Sequence, residues 1–441
     1  MFPKSKSNTY RRRCSWRHRD FAPLVAAVFF AFALQSVSAQ TATSSQQKRI
    51  VTLSDAVSIF LQQNLDLIAA RYDVDSVEAE KLSAAVRPNP EVAFGSEGLP
   101  LGFNGSFLSS QTFTYNISQD FELGKKRAKR ITAANANSEL ARAQFQAAVW
   151  QLTNDVKKKF YAVLLAQALL NLSKENQTTF DDIVQRTREV FRSGEISGLD
   201  LQRVEIEKFK FDTDVANSER DYELAVRDLR LVLGGDYRTT EIETAGSIEF
   251  IQQYDFSLDD LRTKALAARP DLKVAQVAEL AADAAIRLQD AQKIPDLTLS
   301  AGVSQVPVGG GSNYTFGVGF NLPVFDRNQT ERAKARIDKD RARNQQAIVT
   351  NQISSEVDKA FVAFNIQKRR LDLYRTGVLT RVNDIQTSTE YALKIGESST
   401  LELLDAIRTR RETLAGFYQT IFDYDSSLLD LELATATPLL K

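Results

Sequence analysis

Residues 145–163, FQAAVWQLTNDVKKKFYAV, have a pattern of apolar residues that indicates the main secondary structure of this chain. Apolar residues recur in it at spacings of four, three, four, four and three positions, at Phe145, Val149, Leu152, Val156, Phe160 and Val163. This period predicts an α-helix that packs one face against other helices. A plain coiled coil would show the same stripe, so the stripe alone predicts only a packed helix.

The helical pattern extends far beyond these residues. Residues 125–192 contain no Pro and no Gly, and only Gly377 interrupts residues 328–394. At about 1.5 Å per residue, each stretch would form a rod of about 100 Å. Gly194 and Gly396 follow the two rods, and residues 199–233 and 401–433 supply returning helices. The two glycines therefore predict the turns of two helical hairpins.

The chain also repeats itself at a spacing near 203 residues. Blocks of similar sequence recur in the same order, with offsets that fall from 205 to 202: residues 53–56 and 258–261, 64–67 and 269–272, 90–92 and 295–297, 113–121 and 316–324, 199–201 and 401–403, and Tyr222 and Tyr424. We interpret this as a duplication. It predicts one repeat at 51–235, a second at 256–435, and a connector at 236–255.

Each repeat is predicted to begin with a capped helix, from Ser54 in the first and from Asp259 in the second. Two short strands follow. In the second repeat, residues 297–301 and 316–322 alternate with period two around the glycine-rich turn 307–312. In the first, residues 113–118 follow a loop that contains Gly98, Pro100, Gly102 and Gly105. The predicted fold class is mainly α, with two tandem repeats, each a β-hairpin on a long helical hairpin.

The N-terminal residues have the pattern of a secretory signal peptide. Seven basic residues lie between Lys4 and Arg19, an apolar run covers 21–34, and Val37-Ser38-Ala39 precedes a cleavage point before Gln40. We expect residues 1–39 to be removed, and a retained membrane anchor is the alternative. This segment is therefore excluded from the fold.

Removal of this segment would leave a chain without Cys, His or Met, because Cys14, His18 and Met1 are the only ones. Such a chain has no disulfide, no imidazole base, no thiol nucleophile and no soft metal ligand. Cys14 precedes the apolar run, so it is not a lipid-modified cysteine at the cleavage point. We expect no enzyme activity, no cofactor and no metal site.

Residues 40–441 contain 49 Lys and Arg against 55 Asp and Glu, a net charge of −6. Nucleic-acid binding depends on a basic surface that neutralises phosphates. We therefore expect no nucleic acid among the partners.

Four strands per chain are too few to close a barrel by themselves. Open sheet edges in lipid would leave unpaired backbone groups, whereas three chains would supply twelve strands, a number that membrane barrels use. Aromatic residues suited to the girdle of such a barrel occur at Phe113, Tyr115, Phe121, Tyr314 and Phe316. They could equally be core aromatics of a sheet in water.

The combination of these features resembles the TolC family. Both repeats have the turn Gly-x-x-x-x-Leu-acidic-Leu, and residues 322–328, LPVFDRN, follow the last strand. Residues 87–91, RPNPE, are similar to the branch that serves cation-efflux pumps. The resemblance implies a homotrimer with a twelve-stranded β-barrel in the outer membrane and an α-helical barrel across the periplasm. It also implies a periplasmic adaptor and an inner-membrane pump as partners, and outer-membrane lipid around the strands.

By the same resemblance, acidic residues near the hairpin turns would ring a narrow periplasmic aperture. The matching positions are Glu402 and Asp405 in the second repeat and Asp200 in the first, where Arg203 takes the place of the second acid. Clustered carboxylates near a narrow opening favour cations. The alternative is that these acids only stabilise helix N-termini, with Ser399 or Thr400 as N-cap.

Three functions account for the predicted helices, strands and side-chain types to different extents. A passive exit duct driven by a partner pump accounts for the strands and Gly-rich loops in both repeats. A periplasmic coiled-coil adaptor or spacer accounts for the long helices but not for the strands. An enzyme lacks the usual catalytic side chains. The duct is therefore the predicted function, and the sequence does not distinguish metal, drug and protein as its substrate.

Overall fold

The computed structural model describes residues 49–98, 111–249, 253–306 and 310–439. The predicted signal peptide lies outside these residues, as do Pro100, Gly102 and Gly105 of the first loop and residues 307–309 of the glycine-rich turn. None of the described helices has an apolar stretch long enough to cross a lipid bilayer.

The described elements follow one another in the same order twice. The first series is β1 (Arg49–Val51), α1 (Leu53–Gln63), α2 (Leu65–Ala85), β2 (Glu91–Glu97), β3 (Thr112–Phe121), α3 (Lys126–Arg192) and α4 (Gly198–Leu233). A 3₁₀ turn at Gly235–Arg238 leads to the second series: β4 (Ile242–Thr244), α5 (Leu258–Ala268), α6 (Pro270–Gln292), β5 (Leu297–Gln305), β6 (Ser312–Phe320), α7 (Gln329–Leu373), α8 (Leu379–Lys394) and α9 (Thr400–Thr435).

The opening helices begin at Leu53 and Leu258, one residue before the predicted Ser54 and Asp259, and their N-caps lie two residues before these predicted positions, so both predicted starts are wrong. Thr52 is the N-cap of α1: its Oγ1 accepts a hydrogen bond from Asp55 N, and the Asp55 carboxylate accepts one from Thr52 N, both at 3.2 Å. This reciprocal pair is a capping box, which requires a spacing of three residues that Ser54 does not have with Asp55. In the second repeat, Ser257 occupies the N-cap position.

The first predicted rod is confirmed as one helix, α3, of 67 residues. The second rod is not continuous, which corrects the prediction for residues 328–394. A π-helical turn at Tyr374–Val378 separates α7 from α8, and Thr376 and Gly377 depart from helical geometry there. Gly377 has φ +99°, a conformation that interrupts a helix and that only glycine adopts readily.

Both repeats contribute to one antiparallel sheet with the strand order β2-β3-β5-β6. The central pair, β3 and β5, joins the two repeats along a register that runs from Phe113 opposite Gln305 to Phe121 opposite Leu297. β6 ends at Phe320, two residues before the predicted end. The two β-hairpins therefore form one sheet rather than two separate ones.

A second, small sheet is present that the sequence pattern does not predict. β1 pairs with β4 in parallel, with Val51 opposite Thr244. β4 lies inside residues 236–255, which the sequence predicts to be a simple connector. This pairing ties the start of the first repeat to the start of the second.

The larger of two buried clusters in the described residues extends across both repeats. Val156, Phe160 and Val163 of α3 are buried in it, as the apolar stripe predicts. They lie in the same cluster as Phe364 of α7 and Tyr424 of α9, which are also buried. The two repeats are therefore not independent folding units.

The capping box gives a test of the corrected start of α1. Thr52→Ala removes the oxygen that binds Asp55 N, and such a loss weakens a helix start by about 1 kcal/mol. We expect the amides of the first turn of α1 to exchange with solvent deuterium about five times faster. Ser54→Ala is the matched control, and equal effects of the two substitutions would contradict the assignment of Thr52.

Candidate functional site

The four-stranded sheet has one apolar face and one polar face. Side chains alternate along each strand, and the register places most apolar residues side by side on one face. The apolar face carries Val92, Phe94, Phe113, Tyr115, Ile117, Phe121, Leu297, Leu299, Ala301, Val303, Tyr314, Phe316, Val318 and Phe320, with Ser96, Gln119, Gln305 and Ser312 as its polar members. Phe316 is 85% exposed on this face. An apolar sheet face with this much exposure requires either lipid or a protein partner.

All five aromatic residues singled out in the sequence lie on the apolar face. Tyr115, Phe121, Tyr314 and Phe316 are exposed, and Phe113 is half-buried. The ring of Phe94 lies 6.1 Å from that of Phe113. None of the five is buried in the core, as core aromatics of a sheet in water would be.

The opposite face is built from small polar residues and glycine. Its members on β3, β5 and β6 are Thr112, Thr114, Asn116, Ser118, Asp120, Thr298, Ser300, Gly302, Ser304, Asn313, Thr315, Gly317 and Gly319, and β2 adds Glu91, Ala93, Gly95 and Glu97. A Cβ on Gly302 would lie 2.8 Å from Thr315 Oγ1, so the hydroxyl occupies the space that a side chain would fill. This face offers hydroxyl and amide groups to water.

The second candidate feature is the pair of hairpin turns at the far ends of the long helices. Gly194 ends α3 with φ +82° and Gly396 ends α8 with φ +78°. In each turn the following amide reaches back to the helix: Glu195 N donates to Val190 O at 3.3 Å, and Glu397 N donates to Ala392 O at 2.9 Å. Both are Schellman motifs, in which glycine supplies the left-handed conformation.

The acids after the turns take part in helix capping. Ser399 is the N-cap of α9, and the Glu402 carboxylate accepts hydrogen bonds from Ser398 Oγ at 2.6 Å and Ser399 N at 2.9 Å. The bond from Ser398, followed by that from the Ser399 backbone, lowers the pKa of the Glu402 carboxyl. Asp200 accepts a bond from Ser197 Oγ at 2.7 Å. The helix-start interpretation therefore has direct geometric support, whereas the aperture remains a prediction.

Asp405 and Arg203 line one surface groove of about 800 Å³ between α4 and α9. The groove also contains the ion pair between Arg411 and Asp214. Asp200, Arg203 and Gly396 line a neighbouring groove of about 760 Å³ between the two turns. One chain thus brings the candidate residues of both repeats to the same end of the helices.

An apolar cluster that the sequence pattern does not predict holds the two hairpin ends together. Its buried members are Phe180, Ile183, Val184, Val204, Phe211, Leu403 and Ile407. The rings of Phe180 and Phe211 stack with 4.4 Å between their centroids. Arg410 of α9 also forms an ion pair with Glu175 of α3 at 3.0 Å. The apolar spacing in each helix could have indicated a buried face, but not which helices share it.

Among the described residues, no group of three or more His, Cys, Asp or Glu side chains has an arrangement that could hold a metal ion.

Proteins with similar sequences include two that are named for cation resistance and cation efflux. The chain is 26% identical to the cobalt-zinc-cadmium resistance protein CzcC of Cupriavidus metallidurans over 360 residues, which is 81% of this chain and 84% of that protein. It is 24% identical to the cation efflux system protein CusC of Escherichia coli strain K12 over 400 residues, 86% of this chain and 85% of that protein.

Solved structures show the same fold. The crystal structure of CusC superimposes with a TM-score of 0.72 at 19% identity, covering 88% of this chain and 92% of that one. The CmeC outer membrane channel of Campylobacter jejuni gives a TM-score of 0.73 at 17% identity, with coverage of 87% and 85%. The fold implied by the resemblance to the TolC family is thereby confirmed.

The family model for outer membrane efflux proteins matches residues 56–235 and 261–435. These two segments hold the two-faced sheet, the long helices and both hairpin turns. The chain belongs to the outer membrane efflux protein family.

Proposed function

We propose that three copies of this outer-membrane efflux protein form one passive exit duct, with β-strands in the membrane and long helices in the periplasm. The observation that carries this proposal is the sheet, which has one apolar face and two outer strands, β2 and β6. A passive duct performs no chemistry of its own. The energy for export would come from a partner pump.

The outer strands favour closure with other copies. In the hydrocarbon region an unpaired backbone N–H or C=O costs several kcal/mol, so strands there form closed barrels. Pairing β6 of one copy with β2 of the next would repeat the contact that β3 and β5 make within the chain. Three copies would give twelve strands, with the apolar face toward lipid and the polar face toward a water-filled lumen.

The short helices support the same arrangement. Within the chain α6 packs against both long helices, α3 and α7, whereas α2 packs against α3. Val277 of α6 is buried, but Tyr72 at the equivalent position of α2 is 67% exposed. A neighbouring copy would cover this face of α2 with its α7, as α3 covers α6.

The long helices show a similar difference. Val163, Leu170 and Ile183 of α3 are buried within the chain. Their equivalents in the second repeat, Ile366, Leu373 and Ile385, are 42%, 66% and 50% exposed. Since α9 packs against α3 within the chain, we infer that α4 of a neighbouring copy covers this side of α7 and α8.

The proposed organisation along the chain follows the duplication. Residues 1–39 would be removed during secretion, and residues 51–235 and 256–435 would be the two duplicated units. The connector 236–255 contains β4, whose pairing with β1 helps to join them. The alternative, a periplasmic coiled-coil spacer, gives no role to a sheet with an exposed apolar face.

The partners would be a periplasmic adaptor and an inner-membrane pump, because the similar proteins CzcC and CusC are named for cation resistance and efflux. By the same similarity we propose metal cations as the exported substrate. Residues 40–441 contain no Cys, His or Met, so such cations would pass without tight ligation. Three copies each of Glu402, Asp405 and Asp200 would give the periplasmic opening a negative potential.

Neutralising the acids of the second repeat tests this aperture. Glu402→Ala with Asp405→Ala is expected to raise single-channel conductance and to weaken block by multivalent cations, because the carboxylates hold cations in the opening. Planar-bilayer recording measures both quantities.

Two further variants separate charge from capping. Glu402→Gln with Asp405→Asn removes the charge, and Gln at this position can still complete a capping box. Asp260→Ala with Asp340→Ala removes two exposed acids elsewhere. Unchanged conductance and block in both tip variants would reject the aperture, and so would an effect of the remote variant as large as theirs.

The placement of the turns at the periplasmic end gives another test. Gly396→Pro is incompatible with φ +78° and removes the N–H that donates to Leu393 O at 3.2 Å. We expect weaker assembly with the pump and nearly normal membrane insertion, measured by co-purification and membrane fractionation. Gly396→Asn, which tolerates this φ, is the control. Loss of insertion in the Pro variant would contradict the placement.

A further inference from the structure

The four connections between helices and strands all lie at one end of the sheet. They join α2 to β2, β3 to α3, α6 to β5 and β6 to α7. Each contains one exposed cation: Arg87, Lys125, Lys293 and Arg327. None of these four forms an ion pair with another described residue. We call these four residues the junction collar.

Most acids near the junction collar already have partners. Glu122 binds Arg130 at 2.5 Å, and Asp296 binds Lys126 at 2.7 Å. Asp326 accepts a hydrogen bond from Asn328 N at 2.8 Å. Arg327 Nε donates a hydrogen bond to Pro323 O at 3.3 Å, and no carboxylate neutralises any of the four collar cations among the described residues, so their charges are available to an anionic ligand.

Each collar cation has an apolar residue within two positions along the chain. Val86 precedes Arg87, Leu123 lies near Lys125, Ile294 follows Lys293, and Phe325 lies near Arg327. Phe325 is 93% exposed. Apolar side chains beside Lys and Arg are typical of the boundary between acyl chains and lipid headgroups.

The junction collar also continues the apolar face of the sheet. That face ends at Phe121, Leu297 and Phe320, which are paired across the strands at the same end. If the strands lie in the outer membrane as proposed above, this end meets the leaflet that faces the periplasm. The collar cations would then lie at the depth of its phosphate groups.

We propose that the junction collar binds the phosphate groups of anionic phospholipids in the periplasmic leaflet of the outer membrane. The exposed apolar neighbours Val86, Leu123 and Phe325 insert among the acyl chains, and the four cations contact the headgroup phosphates. Three copies place twelve such cations around the barrel. This contact sets the depth of the barrel in the membrane, where the long helices begin.

Binding of a labelled lipid tests the proposal. The purified full-length protein, in an uncharged detergent, is titrated with fluorescent phosphatidylglycerol and, separately, with phosphatidylcholine carrying the same label. We expect tighter binding of phosphatidylglycerol. The variant with Arg87, Lys125, Lys293 and Arg327 all changed to Gln is expected to lose at least about tenfold in affinity for it, with little change for phosphatidylcholine.

The matched control changes four other exposed cations without ion pairs, Lys264, Lys273, Arg343 and Arg381, to Gln. It has the same net charge and should bind like the unmodified protein. Equal losses in both variants would show an effect of overall charge and overturn the proposal, as would unchanged binding in the collar variant.

Light scattering on the same samples reports the number of copies, so a failure of the proposed trimer is seen separately from a failure of lipid binding. Should the fourfold collar variant not fold, Lys125→Gln with Arg327→Gln applies the same test to half of the cations, one on each side of the sheet.

Discussion

The backbone groups along the outer edges of β2 and β6 impose the main constraint on this molecule. In the described chain these strands end the sheet, and the apolar face beside them is exposed. Lipid can cover that face but cannot donate or accept the hydrogen bonds that the edges need. Strands of another copy can form these hydrogen bonds, because β6 and β2 correspond by duplication to the paired strands β3 and β5. The proposed threefold assembly would meet this requirement by pairing the open edges of β2 and β6.

The duplication explains how one chain prepares for that assembly. Contacts between the repeats, such as β3 with β5 and α3 with α6 and α9, are made inside the chain, and their equivalents are left open at its sides. The repeats are nevertheless not identical. Gly377 interrupts only the second long helix, and Asp405 of the second repeat corresponds to Arg203 of the first. In the proposed trimer, the side chains at the hairpin turns would therefore be arranged with threefold rather than sixfold symmetry.

Local chemistry decided which parts of the structure the sequence could predict. The absence of Pro and Gly predicts the extent of α3. Gly194 and Gly396 predict the hairpin turns, and both have left-handed φ in the structure. The start of α1 was misplaced because Thr52 and Ser54 are both good N-caps, and only Thr52 has Asp55 three residues later. The β1–β4 pair was missed because three-residue strands carry no alternation. The apolar cluster at the hairpin ends contains residues more than 200 positions apart, such as Phe180 and Leu403. Periodicity within single helices does not reveal such contacts.

The number of copies in the assembly is the most direct test of the proposed three-copy duct. Native mass spectrometry of the protein extracted from the membrane fraction in detergent would measure it, given a mass of 49.3 kDa for the full chain and somewhat less after signal-peptide removal. If the proposed duct is correct, the protein is a trimer that needs detergent to remain in solution. A monomer or dimer that is stable without detergent would contradict it, because the edges of β2 and β6 would then have no strand to pair with in the membrane.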